Sequence, residues 1–233
     1  MTFAEFQKHI RTSQKDFYRE TLANHRDVIR VKKEGKVLVN LEKIFGATLK
    51  LSNQKGFAAM SMRDLSRETG LSMGALYSYF NSKDEILSML QEQQRAFTKK
   101  FLEEAIEGEQ APRKKLGAAV RAHLYLSEVM QAWFYFSYME AKNLPDAEKS
   151  SAVKSERFTE RLFTDILESG RACGEFHVVD CRLTASCLKA MLQDWYLKRG
   201  KYASRGVTVE RYAQFLLEMI ESFVGLQAYE NSG

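Results

Sequence analysis

Ser61-Met-Arg-Asp-Leu-Ser-Arg-Glu-Thr-Gly-Leu-Ser-Met-Gly-Ala-Leu-Tyr-Ser-Tyr-Phe80 decides how this chain is read. It divides at Gly70 into two short helical runs. Ser61 stands as an N-cap with Asp64 three residues on, and Ser72 opens the second run. Gly70 can take the positive φ that lets the chain reverse between them. Leu65, Leu71 and Leu76 can pin the two helices together. Ser72, Met73, Gly74, Ala75 and Ser78 then remain on or near the outer face of the second helix. The pattern is that of a helix-turn-helix candidate, whose second helix would enter a major groove by its front end. Small residues at Gly74 and Ala75 let the backbone approach base edges, and Met73 and Tyr77 can meet thymine methyls. The helix starts at Ser61 and Ser72 present backbone amides to phosphates. Arg63 is a cation on the first of these helices, while Tyr79 and Lys83 lie just past the second, where they can grip the backbone without reading sequence.

Upstream, Leu38, Leu41, Phe45 and Leu49 fall near the 3.6-residue period and predict a helix from Val37 to Lys55. Residues 1–35 carry a weaker stripe that includes Phe6, Ile10, Phe17, Leu22 and Ile29. Downstream, Ser82-Lys-Asp-Glu85 reads as a full capping box opening a long helix through Leu102. Further helices are expected from about Leu116 to Met139, through Phe158 to Gly170, from Arg182 to Arg199 with Gly200 as C-cap, and from Val209 on. With 2 Pro, 13 Gly and no convincing strand pattern, the chain reads as all-α.

Charge divides the chain unevenly. Residues 1–95 hold 16 Lys/Arg against 11 Asp/Glu, while residues 96–233 hold 19 of each, so the whole excess of +5 lies in the part that contains the helix-turn-helix. A basic end on a neutral body suits a polyanion partner, although a solvated basic face would give the same count.

The run from about Val37 to Leu87 resembles the DNA-binding domain of TetR-type regulators. The resemblance rests on Phe57, Ser61, Arg63-Asp64-Leu65, Gly70-Leu71-Ser72, Gly74, Leu76-Tyr77, Tyr79-Phe80 and Ser82-Lys83-Asp84-Glu85-Ile86-Leu87. It implies that Tyr79 and Lys83 touch phosphates, that Phe80 packs inward, and that the protein is a homodimer with a ligand pocket in its C-terminal domain. Departures from the pattern are Ser66 where alanine is frequent, and Met60 and Met73 where threonine and lysine are frequent. The stretch ahead of the domain is longer than usual. Its Lys32, Lys33 and Lys36 could reach DNA; the alternatives for this arm are a helix packed on the domain or a frayed tail. The expected division is an N-terminal extension or arm at 1–35, the helix-turn-helix domain at 36–84, and a helical ligand-binding and dimerisation domain at 85–229.

In that last domain Ala132-Trp-Phe-Tyr-Phe-Ser-Tyr-Met139 is the most aromatic stretch. Either it is plain core, or Trp133, Phe134, Phe136 and Tyr138 line a cavity in which His123, Tyr125, Gln131 or Ser137 orients a polar group of the ligand. Leu188, Met191, Leu192 and Trp195, with Tyr212, Phe215, Met219 and Phe223, are candidates for a four-helix dimer face, with core packing as the even alternative.

Other chemistries find little support. Gly70-Leu-Ser-Met-Gly74 matches a nucleophile elbow, but that turn follows a buried strand and the residues here are polar and helical, so an esterase or thioesterase using Ser72 is disfavoured. The S-x-x-K matches at Ser52 and Ser151 lack their companion motifs, and no Walker or G-x-G-x-x-G loop occurs. Cys173, Cys181 and Cys187 form no disulfide framework, and His9, His25, His123 and His177 have no metal-ligand spacing. No signal peptide or membrane span is apparent. The expectation is a cytoplasmic regulator without enzyme activity, cofactor or metal. It would bind a palindromic operator in double-stranded DNA and be released by a hydrophobic small molecule, fatty acyl-type or aromatic. A helical small-molecule binding protein without DNA activity is the alternative.

Overall fold

The computed structural model describes residues 1–26, 29–143 and 146–225, with side chains except at 11–17 and 146–156. Every regular element among them is helical. In chain order they are α1 (Phe3–Asn24), α2 (Glu34–Lys55), α3 (Met62–Thr69), α4 (Met73–Tyr77), α5 (Lys83–Glu107), α6 (Pro112–Val129), α7 (Gln131–Glu140), α8 (Asp146–Ala172), α9 (Cys181–Leu197), α10 (Arg199–Ala203) and α11 (Val209–Gly225). A single 3₁₀ turn, Ala141–Asn143, follows α7. Among the described residues no helix is long and apolar enough to cross a membrane.

The chain gathers into two compact units. One takes Ala4–Phe97 and Met130–Ala152. Its centre is the inward face of α2, where Leu41, Ile44 and Phe45 are fully buried with Leu65 of α3, Leu76 of α4 and Phe80. Burying each of these side chains contributes on the order of 2 kcal/mol. Phe45 is the hub. The rings of Phe80 and of Tyr18 on α1 lie 6.2 Å from it, and Trp133 of α7 meets it edge-on at 5.7 Å. Phe136 packs edge-on against Phe57 at 5.9 Å. The extension before α2 is therefore a packed helix in this unit, and the aromatic helix α7 belongs to the same unit.

The other unit takes Thr98–Val129 and the chain from Val153, with α6 packed between α9 and α11. Leu116, Val120 and Leu124 of α6 meet a core that includes Leu188, Leu192 and Trp195 of α9 and Leu216, Ile220 and Val224 of α11. Glu128 of α6 ties it to the end of α9: it accepts hydrogen bonds from Trp195 Nε1 at 3.0 Å and from Arg199 Nε and Nη2 at 2.8 and 3.0 Å. The α8–α9 connection is closed by the amides of Glu175 and Phe176 donating to the Gly170 carbonyl.

Three expectations from the pattern need correction. The helix expected from Leu116 to Met139 breaks at Met130 (φ −110°, ψ 33°) into α6 and α7, with neither Gly nor Pro at the break. Gly200 does not end its helix. It lies inside α10, and the left-handed turn falls at Gly206 (φ 65°). Leu188, Leu192 and Trp195, candidates for the dimer face, are buried within one chain at 1% exposure or less, so they supply core to α9 and have no surface for a partner.

Candidate nucleic-acid interface

The helix-turn-helix forms by the local chemistry its sequence carries. At the start of α3 the Ser61 hydroxyl accepts from the Asp64 amide at 3.2 Å, and the Asp64 carboxylate accepts the Ser61 amide at 2.9 Å. The pair satisfies two of the helix's free donors reciprocally. Asp64 also accepts from Lys55 Nζ at 2.6 Å and from Arg67. The hydrogen bond from Lys55, then those from Ser61 and Arg67, hold its carboxyl well below the usual carboxylate range. Gly70 ends α3 in the left-handed conformation (φ 71°, ψ 9°), where a side chain would be strained. The turn is locked by Ser66, whose hydroxyl donates to the Leu71 carbonyl at 2.6 Å, and by Thr69, whose hydroxyl accepts the Leu71 amide at 3.2 Å. Ser66 thus has a structural task in this chain that alanine could not perform.

Ser72 caps α4, its hydroxyl accepting the Ala75 amide at 3.2 Å. The element ahead of it is the helix α3, so the strand that a nucleophile elbow requires is replaced by a helix. Along α4, Ser72, Gly74 and Tyr77 are exposed, Met73, Ala75 and Ser78 are half-buried, and Leu76 is fully buried as the anchor. Ser61 and Arg63 at the start of α3 are exposed as well. Nothing lies within 4 Å of a Cβ built on Gly74, so the outer face of α4 opens to solvent there.

Tyr79 is placed otherwise than expected. It is 1% exposed, and its hydroxyl accepts a 2.8 Å hydrogen bond from Asn40 Nδ2 on α2. Burial pushes its phenol pKa up, and the Asn40 hydrogen bond only partly opposes this. Its ring lies 6.4 Å from that of Phe80 in the core. In this fold Tyr79 fastens α4 to α2 and presents no surface to a phosphate. Its neighbour Tyr77 is 44% exposed. Lys83 is half-buried. Its ammonium donates to the carbonyls of Phe57, Ala58 and Met60 at 3.2, 2.8 and 3.2 Å and so holds the α2–α3 connection against the start of α5. At that start the Glu85 amide donates to the Ser82 hydroxyl at 3.2 Å. The Glu85 carboxylate reaches back to the amide and side chain of Asn81, one residue earlier than the capping box predicts.

Sequence reading missed Asn40, Asn81 and Arg30. The Arg30 amide donates to the Ser78 carbonyl at 2.9 Å, and its guanidinium donates to Asn81 Oδ1 at 3.2 Å. These partners stand 39 to 51 residues apart in pairs such as Asn40–Tyr79 and Arg30–Asn81, with no periodic signal linking them.

The expected ligand-lining residues fall into two groups. His123 and Tyr125 are buried in α6, in one unit; Phe134, Phe136 and Ser137 are buried in α7 and Tyr138 is exposed on it, in the other. His123 is 3% exposed, and burial, with the Lys189 charge nearby, lowers its pKa to about 3. The described residues of the C-terminal unit form clefts of their own. One of about 310 Å³ has Ile106, Phe158, Leu162 and Ile166 in its walls with Lys115 and Arg161. One of about 400 Å³ lies along α9–α11 beside Met191, Tyr202, Tyr212 and Phe215. None of the seven expected residues lines either cleft. On α11, Phe215, Met219 and Phe223 are exposed by 59%, 40% and 57%, a stripe at four-residue spacing that nothing among the described residues covers.

Comparison with known proteins accords with this geometry. The family model for bacterial regulatory proteins of the tetR family matches residues 44–90, and that for a tetracyclin repressor-like C-terminal domain matches residues 109–220. The HTH-type transcriptional regulator HbdR of Aromatoleum sp. (strain CIB) is 24% identical over 181 residues, covering 78% of this chain and 79% of that protein. Among solved structures, FadR from Bacillus subtilis in complex with stearoyl-CoA superposes with a TM-score of 0.64 at 17% identity, over 78% of this chain and 98% of that one. AibR in complex with isovaleryl coenzyme A and operator DNA superposes with a TM-score of 0.68 at 16% identity, over 77% and 97%. With the capped α3, the left-handed Gly70 and the outward face of α4 in place, the chain is a transcriptional regulator of the TetR family.

Proposed function

We propose that this regulator is a homodimeric repressor that leaves a palindromic operator when a hydrophobic small molecule binds its C-terminal domain. The observation that carries the DNA half is α4 itself: a short helix whose outer residues Ser72, Gly74 and Tyr77 face solvent while Leu76 and Tyr79 fix it to the core. In this reading Ser72, Met73, Gly74, Ala75, Tyr77 and Ser78 meet the major groove. Ser61, Arg63 and Lys83 meet phosphates, Lys83 by exchanging one of its carbonyl partners for a phosphate oxygen.

The exposed stripe Phe215, Met219 and Phe223, with Met191 and Tyr212 beside it, supports a dimer face built on α9 and α11, since a monomer gains nothing by exposing three large apolar side chains in line. Two copies set two reading helices about 34–36 Å apart or somewhat more, on successive turns of the duplex. Phe215→Glu combined with Met219→Glu should convert the dimer to monomer in sedimentation. A variant that stays dimeric would place the interface elsewhere.

For the effector, the reading is a fatty acyl-type or aromatic molecule. Neighbours of the same fold are bound to stearoyl-CoA and to isovaleryl coenzyme A, and apolar walls with a few polar groups suit such ligands. His123 and Tyr125 remain the residues of the C-terminal unit proposed to respond to it; Trp133, Phe134, Phe136, Ser137 and Tyr138 belong to the other unit. The test is to select duplexes from a random pool, then titrate the complexes with stearoyl-CoA, isovaleryl-CoA and an aromatic acyl thioester. One class should weaken DNA binding by about 5–150-fold, and the duplex should weaken that ligand equally. Selection of a duplex with no response to any of the three would leave a regulator and remove this effector class.

A further inference from the structure

Residues 29–33, just ahead of α2, are held against the end of the reading helix. Ile29 is buried at 2% exposure, and its amide donates to the His25 carbonyl at 3.0 Å. The next residue, Arg30, donates its amide to the carbonyl of Ser78 at the end of α4 and its guanidinium to Asn81 ahead of α5. Arg26 donates to the Val31 carbonyl at 3.3 Å. The segment therefore has a defined place beside the C-terminal end of α4, next to the exposed Tyr77.

That place is basic. Lys32, Lys33 and Lys36 are all exposed, and none forms an ion pair among the described residues. Glu34, beside Lys33 in the chain, pairs with Arg19 at 3.7 Å. Lys33 occupies the N-cap position of α2, where its carbonyl accepts from the Lys36 and Val37 amides, while its side chain makes no cap hydrogen bond. Exposed ammonium groups beside the reading helix raise the local positive potential that draws a polyanion.

We propose that residues 29–33 are a second DNA-contacting element, which braces the C-terminal end of the reading helix through Arg30 and sets Lys32 and Lys33 on the phosphates flanking the groove. The proposal rests on α4 being the reading helix. It adds contacts that hold the backbone and carry no base specificity.

Neutralising a phosphate releases condensed counterions, and each such contact contributes about 0.9 to the slope of log affinity against log salt concentration on duplex DNA. The experiment uses the full chain and a random-sequence duplex several helical turns long, with anisotropy read across a salt series. The double variant Lys32→Ala/Lys33→Ala removes two contacts from each subunit of the dimer and should lower the slope by roughly 3.6 with melting unchanged. Lys114→Ala, which removes an exposed charge on α6 in the C-terminal unit, should keep the slope of the unaltered chain and so separates contact from net charge. A double variant with the slope of the unaltered chain would overturn the proposal while leaving α4 as the reader. If the unaltered chain binds no duplex, the reading beneath it fails as well.

Discussion

At the scale of single residues, the hydrogen bond between Asn40 and Tyr79 decides what the tyrosine is for. A phenol buried at 1% exposure with its oxygen engaged holds α4 in place and has no access to a phosphate. Tyr79→Phe leaves the Asn40 amide buried without that acceptor and should cost about 1–3 kcal/mol in urea unfolding. DNA affinity at fixed salt should stay as it was, and a loss that is uniform across duplex sequences would return Tyr79 to the phosphate contacts. This pairing was not legible in the sequence, because nothing in the spacing of Asn40 and Tyr79 marks them as neighbours. Gly70, Ser61 and Ser72 were legible, because a left-handed turn and two helix caps each demand a narrow choice of residue. His123 gives a second residue-scale test. Its pKa falls from 6.5 to about 3 through burial and the Lys189 charge, so the folded chain binds fewer protons than the unfolded one below pH 6.5. The stabilisation is whole above pH 6.5 and is lost progressively toward pH 3. Unfolding midpoints should drop over that range, and His123→Gln should flatten the drop. An equally steep fall in the variant would assign the loss to other groups.

At the scale of elements, capping and periodicity located most helices to within a few residues, while two boundaries escaped. The α6–α7 break at Met130 is imposed by where the two helices pack, α6 on α9 and α11 and α7 on α2, and no residue at the break announces it. Gly200 carried a C-cap signal, but Tyr202 stacks on Trp195 at 5.1 Å and hydrogen-bonds to Asp194, which draws the chain on through one further helical turn, α10. Packing overrides propensity in both cases. The α8–α9 connection illustrates the opposite, a glycine needed for close approach. A Cβ at Gly170 would lie 2.0 Å from the ring of Phe176, itself buried at 1% exposure. Gly170→Ala should therefore destabilise the chain by about 1–3 kcal/mol, the usual cost of overpacking. A thermal midpoint unchanged by that variant would mean that the Phe176 ring can turn aside.

At the scale of the whole molecule, charge and pattern had located the DNA-facing part, since the +5 excess lies in residues 1–95 together with the helix-turn-helix. The division of the body was less legible. Aromatic density marked α7 for a ligand cavity in the C-terminal domain, whereas Phe45 and Phe57 draw Trp133 and Phe136 into the unit that holds the reading helix. A period-3.6 stripe tells that a face is buried and leaves open what buries it. The account as a whole stands on the outer face of α4. Gly74 lies at the centre of that face with open space around it, so Gly74→Glu adds a carboxylate where a base edge would come without disturbing the fold. The most direct measurement is the affinity of this variant and of the unaltered chain for duplexes that the unaltered chain selects from a random pool. The account predicts selection of a palindrome with two half-sites and loss of its binding in Gly74→Glu at an unchanged melting temperature. Equal binding by the variant would contradict it.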